Sequence, residues 1–322
     1  MLKNSVGTRR AVGTPSVGLI VAAYQAESFI DQALASIAAQ VRIPDSVVVV
    51  VDASPDRTGE RAERWGERLP LRIVHLERNV GVARARNIAL EQLNTDLVTV
   101  LDADDVLLPD HIGTLTSLHA RAGGIASSKA QFWSPGLPPR PYQRRIRGLL
   151  PPRRDQLRRL IYRNYVFVSS LVSREDIDGV GGFTEGDRCQ DMTADWDLWL
   201  RLVREGSGVA LAARPTVLYR VGPESMAADP ATLLRCEITQ LERSKSWLGT
   251  EFGPDVDLAV AQRYAELRTL SLARDRSPSA RVKLLGSAVS HRGGDWRNRL
   301  RSLAHASSPK ISDRVLRNRG IW

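Results

Sequence analysis

Asp102-Ala103-Asp104-Asp105 places three carboxylates within one turn of chain. They follow Leu97-Val98-Thr99-Val100-Leu101, a short apolar and β-branched run that reads as a buried strand. A hard divalent cation such as Mn²⁺ or Mg²⁺ takes oxygen ligands, and one or two carboxylates beside its own waters commonly hold it. Aspartates crowded after a buried strand repel one another unless a cation lies near. Aspartate also suits turns and helix N-caps, so the run alone fits either use. Two further aspartates stand in comparable places. Asp52 closes the run from Ser46 to a row of valines. Asp195 precedes Trp196, Trp199, Leu200 and Val203, which recur at helical spacing. Such an aspartate can cap a helix or accept a proton.

The elements that hold these carboxylates follow from the patterning. Strand candidates at residues 17–23, 46–51, 71–76 and 97–101 alternate with helical patterns at 27–40, 57–69 and 80–93. Alternation at this interval predicts a mostly parallel sheet covered by helices on both faces. Ligands of such sheets bind beyond the carboxyl ends of the strands, where Asp52 and Asp102 both emerge. Further on, 125–133 and 166–173 read as strands and 193–205 as a helix. Residues 208–219 fit one or two strands. The proline- and arginine-rich segment 134–152 reads as a surface loop. From Pro230 the patterning is helical. The expected organisation is a flexible N-terminus over 1–15, a catalytic domain over 16–229, and a helical, basic region over 230–322.

Composition narrows the function. The 322 residues carry 46 Lys and Arg against 36 Asp and Glu, a net charge of +10. The excess concentrates at 140–163 and beyond 281. It favours anionic partners, whether nucleic acid, anionic lipid or phosphorylated substrates, and a solvated basic surface explains it equally. No nucleic-acid-binding motif accompanies it. Cys189 and Cys236 show neither CxxC nor zinc-ligand spacing. No disulfide framework is expected, and a reducing cytoplasm is the simplest setting. Residues 1–14 lack the apolar core of a signal peptide, and no run approaches the roughly 18 apolar residues of a membrane span. The five histidines share no ligand spacing. Neither GxGxxG nor GxxxxGK[ST] occurs, which argues against a dinucleotide oxidoreductase or a nucleotide triphosphatase.

Several segments become specific when taken in order. Ala23-Tyr24 follows the first strand, and Ala35-Ser36-Ile37-Ala38-Ala39-Gln40 ends the first helix. Then come Val51-Asp52-Ala53-Ser54-Pro55-Asp56-Arg57-Thr58, Asn79-Val80-Gly81-Val82-Ala83-Arg84-Ala85-Arg86-Asn87 and the Asp102 run. Val180-Gly181-Gly182-Phe183-Thr184, Ala194-Asp195-Trp196-Asp197 and Leu218-Tyr219-Arg220 complete the series. In this order they resemble the inverting glycosyltransferases of family 2, which have the GT-A fold, over residues 16–228.

The resemblance implies an α/β GT-A fold, Rossmann-like, with a carboxyl-terminal helical extension. It implies a nucleotide-diphosphate sugar donor, UDP foremost with GDP or dTDP as alternatives, and a hydroxyl acceptor. It also implies roles. Asp104 would be the metal ligand and Asp195 the catalytic base. Ala23, Tyr24, Asp52, Arg84, Asp102, Ala103 and Arg220 would bind the nucleotide sugar, with Asp52 on the base and Tyr24 edging its pocket. The chain departs from the family pattern in three places. Val51 stands where a first aspartate is usual, Ala194 replaces the Glu of a Glu-Asp pair, and Val221-Gly222-Pro223 lacks a following His. The second departure leaves Asp191 and Asp197 as competitors of Asp195.

An inverting transfer needs an acceptor hydroxyl to lose its proton, attack opposite the diphosphate, and a stabilised leaving group. Asp195 suits the first need. Asp104 with a cation suits the last, and Arg220 adds positive charge. The rival readings are a non-catalytic nucleotide-sugar-binding protein on the same fold and a binder of anionic surfaces. Arg144, Arg145 and Arg147, or basic helices over 296–319, would carry peripheral membrane contact on the inner face. Acceptor choice is expected to depend on 134–152 and the C-terminal helices.

Overall fold

The structure is a computed structural model that describes residues 13–134, 137–141, 150–222 and 228–274. Alternation of strand and helix begins as expected: β1 (Val17–Ala23), α1 (Ile30–Ala38), β2 (Ser46–Val51), α2 (Thr58–Glu63), β3 (Leu71–His75), α3 (Val82–Glu91) and β4 (Leu97–Val100). The chain then passes through β5 (Val106–Leu107), α4 (His111–Ala122), β6 (Ile125–Ser134), β7 (Leu137–Pro141), α5 (Gln156–Tyr162) and β8 (Leu171–Ser173). It ends in α6 (Arg174–Gly179), α7 (Arg188–Met192), α8 (Ala194–Arg204), β9 (Val209–Arg220), α9 (Pro230–Leu248) and α10 (Gly253–Arg274).

The strands form one sheet in the order β3-β2-β1-β4-β8-β6-β9-β5, with β7 hairpinned on β6. β3, β2, β1 and β4 run parallel. β8 opposes β4 and β6 opposes β8, so β6 points with β4 again, and β9 is parallel to β6. The carboxyl ends of β1, β2, β4, β6 and β9 therefore share one edge. Alternating side chains feed two cores. Ile20, Val48, Val50 and Val98 pack toward α3 and the Trp196 and Trp199 face of α8, while Leu19, Val21, Val47 and Val49 pack toward α1 and α4. Val47 to Val51 is buried on both faces, which a central parallel strand requires.

Three expectations need correction. The segment 134–152 is not wholly loop, because Leu137–Pro141 pairs antiparallel with β6. Arg144, Arg145 and Arg147 lie outside the described residues, as do 1–12 and the basic stretch 296–319. The strand expected over 166–173 is confined to Leu171–Ser173. A turn precedes it: the Ser170 N–H donates to the Phe167 carbonyl at 3.1 Å, and the Ser170 hydroxyl caps the same oxygen. Finally, Cys189 and Cys236 form a disulfide between α7 and α9, with Cα atoms 4.6 Å apart. Packing of α9 along α7 brings the pair together across 47 residues of sequence, and the Arg243–Asp187 ion pair at 2.7 Å fastens the same two helices. The reducing setting inferred from unpaired cysteines loses its basis. Among the described residues no helix is long and apolar enough to cross a membrane.

Candidate functional site

The Asp102 run leaves β4 at the shared carboxyl edge and turns tightly, the Asp105 N–H donating to the Asp102 carbonyl at 3.0 Å. Asp102 is partly open and accepts from Arg86 Nη2 at 2.7 Å. Asp105 is fully buried; its Oδ1 accepts from the Arg220 N–H at 2.9 Å, whereas its Oδ2 is buried without a hydrogen-bond partner. Burial, then the charges of Asp104 and Asp102, push the Asp105 carboxyl well above its usual range. Burial and the neighbouring Asp102 carboxylate push Asp104 up to about 6, against the pull of Arg220.

Arg220 ends β9 beside this turn. Its Nε donates to the Asp104 carbonyl at 2.7 Å and its Nη2 to Gln32 Oε1 at 2.5 Å. The guanidinium is sandwiched between the Phe29 and Trp133 rings, 4.7 and 4.4 Å from their centroids. Trp133 sits opposite Arg220 in the β6–β9 register, which sets the stack. Cation–π contact on both faces fixes the plane of the fork while its charge stays near the carboxylates.

The turn thus gathers three carboxylates against two guanidiniums, with one buried carboxylate oxygen unmatched. Oxygen donors with surplus negative charge suit a hard divalent cation. Among the described residues no group of three or more His, Cys, Asp or Glu side chains is arranged to hold a metal ion. One or two carboxylates are enough for such a cation where waters or substrate oxygens supply its other ligands.

At the end of β2, Asp52 is buried and aims both oxygens at the next loop. Oδ1 accepts from the Val80 N–H at 2.7 Å and Oδ2 from the Gly81 N–H at 3.0 Å. Burial raises its pKa while those two N–H groups hold it down. Ala23, buried at the end of β1, pairs through its carbonyl with the Asp52 N–H at 2.9 Å. Tyr24, the next residue, is 47% exposed at the same edge. Behind it two loops interlock: the Gln25, Ala26 and Glu27 N–H groups donate to Ser54, Thr58 and Asp56 side chains. Although burial opposes it, the Ser54 and Thr58 hydroxyls with the Glu27 N–H hold Asp56 down at about 2. Gln25 and Ala53 take left-handed φ of 50° and 52°, backbone seldom used by residues with a Cβ and often found beside functional sites.

Asp191, in α7, reaches the head of α3. Its Oδ1 accepts from the Ala83 N–H at 3.0 Å, and its carboxylate leaves no room for a Cβ on Gly81, whose φ is +85°. Burial raises its pKa and Arg86 opposes the rise. Asp197, the other competitor, is buried and saturated. Thr184 and Arg201 donate to its Oδ2 and Gln240 to its Oδ1, at 2.6 to 2.8 Å. Asp195 stands between them, half-buried. Its Oδ1 accepts from the Trp196 N–H at 2.7 Å and its Oδ2 from Asn164 Nδ2 at 3.0 Å. Asn164 precedes β8, whose start lies beside Thr99 near the end of β4, so this segment approaches the carboxyl edge.

Arg84 lies on the exposed side of α3, paired with Glu185 at 3.1 Å. The α3 arginine that meets the Asp102 run is Arg86, to which the sequence pattern assigned no role. Its signal was present: Ala83, Arg86 and Leu90 make one buried helical stripe. Asn164, Trp133 and Gln32 were also missed, and they lie far in sequence from the groups they touch.

Comparisons with known proteins address the family and the fold. Residues 19–181, half of the chain, match the family model described as Glycosyl transferase family 2. Glycosyltransferase GlyA of Streptococcus pneumoniae is 34% identical over 100 residues, 31% of this chain and 14% of GlyA. The chain spans under a third of the length of the first curated relatives it matches. Staphylococcus aureus TarS in complex with UDP-GlcNAc superposes with a TM-score of 0.59 at 18% identity, over 85% of this chain and 80% of that one. The mannosyltransferase PcManGT of Pyrobaculum calidifontis, in complex with GDP-Man and Mn²⁺, superposes with a TM-score of 0.58 at 19% identity, over 94% and 88% of the two chains. At these identities the likeness to the two structures is one of fold.

Proposed function

This chain belongs to glycosyl transferase family 2 and has the GT-A fold, and on that premise we propose that it is a metal-dependent, inverting glycosyltransferase. It moves a sugar from a nucleotide-diphosphate sugar to an acceptor hydroxyl. The observation that carries this reading is the Asp102–Asp105 turn at the carboxyl edge, flanked by Arg86 and Arg220. The nucleotide sugars named in the TarS and PcManGT structures support the donor class.

Each residue has a task. Tyr24 and the interlocked loops behind it wall the base. Asp52 does its part by fastening the Asn79–Gly81 backbone that borders the donor. Arg86 holds Asp102 toward the ribose. Asp104 would hold a Mn²⁺ or Mg²⁺ ion, which supplies electrostatic stabilisation to a departing diphosphate when bound. Arg220 faces the same diphosphate with a guanidinium whose orientation the two rings set. Asp195 takes the proton from the acceptor hydroxyl at Oδ2, with Asn164 orienting the carboxylate. Asp197 is enclosed by Thr184, Arg201 and Gln240, and Asp191 is committed to the head of α3, so neither suits the role of base.

The test is a screen of UDP-, GDP- and dTDP-sugars for nucleotide diphosphate release, with Mn²⁺ and with chelator. Release that depends on the metal and is lost in Asp104→Ala is the expected result. Product anomers read by NMR decide inversion. No release from any donor, or retention of configuration, contradicts the reading.

A further inference from the structure

Arg159 on α5 and Arg163, the residue that ends the helix, are both exposed. With Tyr162 and, from α10, Gln262, they line an open cavity of about 200 Å³. That is smaller than the roughly 300–1,000 Å³ clefts that enclose drug-sized ligands. It accommodates a charged group rather than a nucleotide. The neighbouring cation on α5 is already matched: Arg158 pairs with Asp255 at 2.8 Å, and the Tyr162 hydroxyl donates to the same carboxylate at 3.1 Å. Arg163 forms an ion pair with Glu266 of α10 at 3.6 Å. Among the described residues no carboxylate forms an ion pair with Arg159. Two guanidinium forks with surplus charge over a small cavity match phosphate oxygens.

Position gives the cavity a use. Asn164, the residue after Arg163, donates to Asp195. Leu160, the residue after Arg159, accepts from the Trp196 indole N–H at 2.9 Å. Helix α5 is thus tied to α8, which carries the proposed base, through the residues that follow Arg159 and Arg163. The donor end, around Asp104, is built from other elements.

We infer that this cavity is a subsite for a phosphate group carried by the acceptor. The inference rests on the transferase reading, because it takes Asp195 to face the acceptor. The phosphate can belong to a lipid headgroup or to a soluble phosphodiester.

Titration calorimetry of the full chain with inorganic diphosphate, in the presence of chelator, tests it. Arg159→Gln/Arg163→Gln is expected to bind diphosphate at least tenfold more weakly than wild type, and Arg159→Lys/Arg163→Lys to recover part of the loss. Both arginines are exposed, and an unchanged thermal midpoint checks that the double variant is folded. Equal affinity in wild type and the glutamine variant overturns the inference. Co-sedimentation with phosphatidylglycerol vesicles then separates the sources. Less bound protein in the glutamine variant than in wild type assigns the phosphate to a lipid, and equal amounts assign it to a soluble acceptor. Diphosphate affinity that is lost on substitution, in a protein that releases nucleotide from no sugar donor, would defeat the transferase reading and with it the acceptor role, and leave only a phosphate-binding cavity. Donor turnover with unaltered diphosphate binding would do the reverse.

Discussion

Arg86 Nη2 donates to Asp102 Oδ1 at 2.7 Å, joining a guanidinium side chain that is 6% exposed to a carboxylate that is 34% exposed. The Phe183 ring covers the guanidinium at 5.4 Å, and its Nε is buried without a hydrogen-bond partner. Removing one partner of a fully buried pair costs roughly 3–5 kcal/mol. Because water still reaches Asp102, Arg86→Met is expected to lose about 2 kcal/mol. Donor affinity should fall with it, since Asp102 is no longer held. Urea unfolding and nucleotide-diphosphate titration measure the two effects, and a variant as stable and as tightly binding as wild type would show that the pair has no role.

Asp195 and Asp197 should separate under the same substitution. Asp195→Asn keeps an oxygen for the Trp196 N–H, so it should fold normally and lose about 10²- to 10⁴-fold in turnover. Asp197→Asn puts an amide among four donor groups of Thr184, Arg201 and Gln240. It should lose about 2 kcal/mol of stability, because a charged acceptor of buried donors disappears. Near-normal turnover in Asp195→Asn would refute its assignment as base.

Gly81→Ala should destabilise by about 1–3 kcal/mol, since it combines a left-handed φ of +85° with a collision against the Asp191 carboxylate. Asp191→Ala relieves the collision and leaves the backbone conformation. The double variant should therefore lose less than the sum of the single losses. Strict additivity in thermal unfolding would mean that the two side chains do not meet.

His111 supplies a pH test. It is fully buried, its Nδ1 lies 2.7 Å from Thr216 Oγ1, and burial pushes its pKa down to about 4. The unfolded chain, near 6.5, takes the proton first as pH falls. The neutral imidazole thus contributes stability that is present above about pH 6.5 and is lost as pH drops toward 4. The stability gap between wild type and His111→Gln should narrow by roughly 1 kcal/mol from pH 7 to 5.5. A gap independent of pH would show that His111 titrates alike in both states.

Local pattern carried much of this protein. Runs such as Ser46–Val51 read as strands by their length and β-branched composition, and the residue after each run must emerge at the carboxyl edge. That is why Asp52 and Asp102 could be placed from type and spacing alone. The weaker elements escaped for local reasons. Helix α4 carries Gly113, Thr114 and Thr116, which dilute the apolar stripe of Ile112 and Leu115. Strand β5 is two residues long, too short to show a period.

Contacts between distant segments were out of reach. Asp191 meets Ala83 across 108 residues, Arg220 meets Gln32 across 188, and Cys189 meets Cys236 across 47. No spacing encodes such pairs, because they depend on which elements the crossovers bring to one edge and on how the helices then pack. The same packing distinguishes Asp195 from Asp197, two aspartates in one helical turn. One lies half-open beside Asn164, and the other is enclosed by Arg201, Thr184 and Gln240. Residue type and period suffice for a carboxylate at a strand end, since both are local. The partners of each carboxylate, which govern its charge and its reach, exist only once the chain has folded.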